Sequence, residues 1–101
     1  MMADKTKRIE STAWVKQQPE QLYQQLVQQE PTEMDYYQCL VKIYHSQDRV
    51  APVIALYQSF IQFNPTSYLG YHRLGDFYKD LDRYDEAISS YQQAIQVDAG
   101  R

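Results

Sequence analysis

The sequence predicts an all-α fold of antiparallel helix-turn-helix repeats, with about five helices in all. Three observations carry that prediction. The chain matches itself when slid by 34 residues. Within each unit the apolar residues recur at the i, i+3, i+4, i+7 spacing of one helix face, and proline followed by threonine punctuates the units at matching places.

The self-match pairs Tyr37 with Tyr71, Leu40 with Leu74, Tyr44 with Tyr78, Asp48 and Arg49 with Asp82 and Arg83, Ile54 with Ile88, Tyr57 with Tyr91, and Ile61 with Ile95. The same shift lays LYQQLVQQEPT, residues 22–32, on LYQSFIQFNPT, residues 56–66. The period therefore runs through two full units, 34–67 and 68–101, preceded by a half unit at 19–33. Searching a small helical chain for such a period comes before any residue-level reading, because one unit cannot bury its apolar face alone.

The first helix is expected near 19–29, opening at Pro19, a residue tolerated in a first turn. Pro31 and Pro65 end the helices before them for want of a backbone N–H. Thr32 and Thr66 then stand where N-caps would be, with Asp35 three residues after Thr32 as a capping-box-like acid. Helices follow near 33–46 and 67–80. Asp48 and Asp82, inside QDR and LDR, are read as N-caps of second helices near 49–63 and 83–97, and Pro52 falls in the first turn of one of them. Residues 1–18 read as a polar N-terminal tail with room for partial helix, and residues 19–101 as the repeat domain.

Composition narrows the class. The 101 residues allow one small domain, and aromatics at 14%, with 10 tyrosines, supply enough apolar area to order it. A net charge of -3 with interspersed signs removes most of the electrostatic pull towards nucleic acid or an anionic membrane. Lys5, Lys7 and Arg8 form a small basic cluster in the tail, read as solvated terminus before binding arm. The only cysteine, Cys39, forbids an intrachain disulfide and reads as a small buried hydrophobe. The N-terminus lacks an apolar signal region, and no stretch reaches 18 apolar residues, so the expected location is the cytoplasm.

The repeated residues resemble the tetratricopeptide repeat, whose pattern is W-x2-L-G-x2-Y, then A-x3-F and a closing proline. In the last unit Tyr71 stands at the Trp position, followed by Leu74, Gly75, Tyr78, Ala87, Tyr91 and Ala94; the middle unit reads Tyr37, Leu40, Val41, Tyr44, Val53, Tyr57, Phe60 and Pro65. The resemblance implies an α-solenoid of the tetratricopeptide type. It also accounts for Gly75, which costs a helix about 1 kcal/mol against Ala: in the family this glycine faces the small position of the second helix, here Ala87. Val41, Val53 and Phe60 replace small residues in the middle unit, so its helices are expected to sit farther apart. Most of the tyrosines (Tyr23, Tyr37, Tyr44, Tyr57, Tyr71, Tyr78, Tyr84, Tyr91) fall at or beside family core positions, where packing with a surface hydroxyl is expected before a ligand-stacking box.

Catalytic chemistry finds little footing. Gly70 and Gly75 have a phosphate-loop gap, but Asp76 occupies the place of the required Lys and a helix surrounds them. His45, His72 and Asp76 can be drawn as a metal site, yet two histidines on a solvated helix face more often ligate nothing. No nucleophile and base can be paired with an orienting third group. The reading is a non-enzyme with no catalytic residue, no cofactor and no metal.

What the resemblance implies instead is a protein-interaction module, a scaffold or adaptor whose first helices line a groove for a partner peptide or helix. Its groove positions are Asp35, Gln38, Lys42 and His45 in one unit and Leu69, His72, Asp76 and Lys79 in the next, with Arg73 adjacent. A carboxylate clamp known in part of the family is not supported, since Gln38, Lys42 and Arg73 supply the wrong residue set and a third unit is lacking. The expected partner is a protein or peptide, not nucleic acid and not a membrane. Two rival readings remain: a targeting or oligomerisation arm of an enzyme whose catalytic domain lies beyond Arg101, and an RNA-binding helical repeat, which the acidic balance opposes. Tyr91 and Ile95 are expected to leave the last helix with an uncovered apolar side, covered by further repeats or by self-association.

Overall fold

The computed structural model describes residues 19–99 of the chain. The tail read at 1–18, with its Lys5, Lys7 and Arg8 cluster, lies outside the described residues, as do Gly100 and Arg101. Five helices make up the described part: α1 (Pro19–Gln29), α2 (Met34–Ser46), α3 (Val50–Phe63), α4 (Leu69–Asp80) and α5 (Tyr84–Ala99). Each packs on the next in chain order, giving an elongated slab of 56 × 30 × 13 Å.

The interior is built from the repeated positions. Tyr37, Leu40 and Val53 are fully buried, and Met34, Tyr44, Tyr57, Phe60, Leu74, Phe77, Tyr78 and Ala87 join them in one cluster. Tyr37 meets Phe60 edge to face at 5.1 Å, joining α2 to α3. Its hydroxyl donates to the Pro31 carbonyl at 2.9 Å, and Asn64 Nδ2 donates to the same oxygen at 3.1 Å. The end of α3 is thereby fastened to the turn between α1 and α2. At the other end of α2, Tyr44 OH donates to Glu20 Oε2 at 3.3 Å and accepts from Gln24 Nε2 at 2.9 Å, which anchors the half unit α1. Buried Val53 and Phe60 keep α3 off α2, whereas Ala87 and Ala94 let α5 lie close along α4, so the two hairpins differ in spacing.

Three expectations about local structure need correction. Asp48 and Asp82 do not cap the second helices; they close the first ones. Both are left-handed, with φ of 57° and 60°. Asp48 N donates to His45 O and Arg49 N to Tyr44 O, both at 3.0 Å, and Asp82 N to Lys79 O and Arg83 N to Tyr78 O, both at 2.9 Å. These paired bonds are the Schellman closure of a helix C-terminus, with Asp as the tolerated left-handed residue. The following arginine lies over the tyrosine whose carbonyl it has captured, Arg49 over Tyr44 at 4.7 Å and Arg83 over Tyr78 at 5.0 Å.

Thr32 and Thr66 are likewise too early to cap. Glu33 and Tyr68 precede α2 and α4 without side-chain caps, and Ser67 Oγ accepts from Leu69 N at 3.3 Å. Finally, the neighbour of Gly75 is Tyr91 rather than Ala87. A Cβ at Gly75 would stand 2.7 Å from Tyr91 Cε1 and 2.8 Å from Cδ1. Two lesser differences concern exposure: Tyr84 is exposed rather than core, and Cys39 is only half-buried.

Candidate functional site

The residues expected to line the groove fall on α2 and α4, the first helices of the two units. Asp35, Lys42 and His45 of α2 are exposed, as are His72, Arg73 and Lys79 of α4. Gln38, Leu69 and Asp76 are half-buried, and Leu69 packs against the core cluster. The polar members thus present exposed heads at helical spacing while the buried side of each helix holds it in place.

Tyrosines from the second helices pin two of these positions from below. Tyr57 of α3 donates its hydroxyl to Gln38 Oε1 at 2.6 Å, and Tyr91 of α5 donates to Asp76 Oδ1. Burial pushes the Tyr57 phenol up to about 12, with Arg73 pulling it down and Asp76 pushing it up from α4. Tyr57 therefore sits under both units, bonded to α2 and within the field of α4. His45 and Phe77, with ring centroids 6.4 Å apart, make a second link between the two first helices. Lys42, Asp35 and Lys79 contribute charge to this surface at its exposed edge.

A polar cluster occupies the far end. His72 Nδ1 lies 3.6 Å from Asp76 Oδ2, and the His72 ring meets Tyr91 at 5.8 Å. The bond to Asp76, followed by burial, pushes the Tyr91 phenol up to about 12. This keeps Tyr91 a neutral donor at neutral pH. His45 is not part of the cluster, so the drawn metal triad is not assembled, and among the described residues no group of three or more His, Cys, Asp or Glu could hold a metal ion.

On the opposite side a cavity of about 520 Å³ opens between the second helices α1 and α3, over Tyr37, Leu40 and Tyr44 of α2. Sequence reasoning missed this recess, and also missed Tyr57 and Tyr91 as fasteners of positions on α2 and α4. The signal for the tyrosines was present, since both hold the same place in the 34-residue register. Their reach across to α2 and α4 depends on helix spacing, which residue patterns do not specify.

The family model of the tetratricopeptide repeat matches residues 69–100, the unit formed by α4 and α5. Residues 69–100 are thus similar to a tetratricopeptide repeat. Among solved structures the chain is similar to the crystal structure of MamA, with a TM-score of 0.63 and 21% identity over 80% of this chain. The likeness is one of fold, and this chain spans 47% of that protein's chain. No curated protein matches it. The repeat matched at 69–100 is of a kind that serves protein interaction in general. Among the described residues no helix is long and apolar enough to cross a membrane.

Proposed function

We propose that this chain is a non-catalytic scaffold or adaptor of the cytoplasm that holds a partner peptide or helix on the shared face of α2 and α4. The observation that carries the reading is Tyr57, whose hydroxyl bonds Gln38 of α2 beneath a surface continued by Arg73 and Asp76 of α4. One side chain so fastened makes two helices present a single pre-set surface, and pre-ordering reduces the entropy cost of binding an extended partner. Lys42, His45, Arg73 and Lys79 interleave with Asp35 and Asp76, which suits a partner carrying both signs. The targeting or oligomerisation arm of a larger enzyme stays the second reading; it uses the same face and requires a catalytic domain beyond Arg101.

The test is affinity capture with mass spectrometry, comparing the unaltered chain with Lys42→Glu/Arg73→Glu. Both side chains are exposed, so helicity and melting should hold to within about 0.5 kcal/mol. Capture of the specific partner should fall severalfold or more. Undiminished capture by the folded double variant would remove this face as the binding site.

A further inference from the structure

The outer side of α5 carries an apolar stripe of Tyr84, Ile88 and Ile95, exposed by 57%, 53% and 66%. Tyr91, expected to share that role with Ile95, is instead turned back onto Gly75 and Asp76. Near the end of the stripe a cleft of about 310 Å³ lies between Tyr68 and His72 of α4 and Tyr91, Ala94, Ile95 and Asp98 of α5.

The chain holds a covered version of the same surface. By the 34-residue register, Ile88, Tyr91 and Ile95 correspond to Ile54, Tyr57 and Ile61 of α3, on which α4 lies. There Phe77 stands 6.5 Å from Tyr57, ring to ring, and Gly70 crosses so close that a Cβ would be 2.7 Å from Ile61 Cγ1 and 2.9 Å from Phe60 Cδ2. A helix covering α3 must therefore have no side chain at that crossing. At α5 the corresponding residue to Phe60 is Ala94, which lines the cleft. Where a ring fills the crossing on α3, α5 leaves room.

Charge specifies the rest. α5 contains Asp85, Glu86 and Asp98 and no Lys or Arg; Glu86 is paired with Arg83 just before the helix, which leaves Asp85 and Asp98 to set its sign. Pairing α5 antiparallel with its own copy about a two-fold axis would bring Asp85 of each copy towards Asp98 of the other, which disfavours a second copy as occupant.

We propose that the outer face of α5 docks a basic amphipathic helix of a partner protein, lying on it as α4 lies on α3, with a bulky apolar side chain (Leu, Met or Phe) in the cleft beside Ala94. The cleft shares His72 with the face of Lys42 and Arg73, but Ala94 and Ile95 lie outside that face, so their variants test this docking separately.

The probes are synthetic peptides of residues 66–83 with Asp76→Lys and Asp80→Lys, made with Gly70 retained or with Gly70→Leu, and an acidic control with Glu at the two Lys positions. Binding to the full 101-residue chain is read by fluorescence anisotropy. The Leu peptide should bind about tenfold more tightly than the Gly peptide, and the acidic control at least several times more weakly than its basic counterpart. Ala94→Phe should erase or reverse the preference for Leu. Should that variant fail to fold, Ile95→Asp, at an exposed position, should weaken the Leu peptide by roughly tenfold or more without loss of helicity. Equal binding of the Leu and Gly peptides, or binding indifferent to Ile95→Asp, would overturn the proposal. So would a concentration-dependent dimer that Ile95→Asp disperses while no peptide binds, which would give the face to a second copy.

Discussion

Gly75→Ala sets two well-known effects against each other at one site. Helix propensity alone favours the alanine by about 1 kcal/mol. The new Cβ, however, would stand 2.7 Å, 2.8 Å and 3.1 Å from Cε1, Cδ1 and Cζ of Tyr91, where carbon atoms prefer about 3.5–4.0 Å. The ring must retreat by roughly 1 Å to restore that separation. It is not free to do so cheaply, because its hydroxyl is bonded to Asp76 and its face meets His72 at 5.8 Å. Overpacking of this kind costs about 1–3 kcal/mol, and stretching a hydrogen bond to a partly exposed carboxylate adds up to about 1 kcal/mol. The balance is a net loss of about 1–2 kcal/mol, which for a domain of this size lowers the melting temperature by several degrees, about 4–8 °C per kcal/mol.

Urea unfolding followed by far-UV circular dichroism measures the difference, and a double-mutant cycle assigns it. In a Tyr91→Ala background the three nearest atoms to the Cβ are removed, so Gly75→Ala should there stabilise the protein by up to about 1 kcal/mol. The predicted result is thus a change of sign between backgrounds. A gain in stability from Gly75→Ala with Tyr91 intact, or the same penalty in both backgrounds, would refute the close-approach account.

Three further outcomes are expected from the geometry. Asp82→Gly should raise stability by a few tenths to about 1 kcal/mol, since glycine accepts a φ of 60° at no steric cost, while Asp82→Val should lower it by about 1–2 kcal/mol; thermal melts of the pair separate this left-handed role from an N-cap, for which glycine would not stabilise. Arg83→Ala should lower the melting temperature, and most of the loss should persist at high salt, because stacking on Tyr78 outlasts the exposed pair with Glu86. Tyr57 and Tyr91, both pushed up from 10.0 to about 12, favour the fold as neutral phenols, so their contribution is complete below pH 10 and is lost as pH rises through about 12; in a phenolate absorbance titration they should ionise last, together with unfolding.

The repeat was legible because each unit must bury the same helix faces, which forces Tyr, Leu and Ile back into register every 34 residues. The helix spans followed to within about two residues. The role of Asp48 and Asp82 was not legible in the same way. An Asp between two helices can cap the one ahead or close the one behind, and residue type suits both. The deciding feature is the carbonyl captured by the following Arg49 or Arg83, a backbone geometry that composition does not encode. Gly75 shows a related limit: its small size announces a close approach, but whether Ala87 or Tyr91 approaches depends on the rotation of α5 about its axis. On α2 and α4, Lys42, His45, Arg73 and Lys79 were readable as exposed polar positions. Gln38 and Asp76 were not readable as acceptors, because the tyrosines that reach them come from other helices.

The two units differ in one substitution with two consequences. Phe60 fills the space against Tyr37 on its own first helix and also bounds the crossing of Gly70 on the next. Its counterpart Ala94 lets α5 settle close to α4, and by the same loss of volume lines the cleft on the other side. Spacing within a unit and shape at its outer face are therefore coupled through a single position. A wide hairpin, with a ring at that position, admits only a helix that offers glycine, whereas a tight hairpin, with a methyl group there, leaves a recess best filled by a large side chain. Such a rule discriminates by exclusion as well as by fit, since a bulky residue would collide with Phe60 and glycine would leave a void beside Ala94. A structure made of similar units can in this way present faces that accept different neighbours while keeping one register throughout.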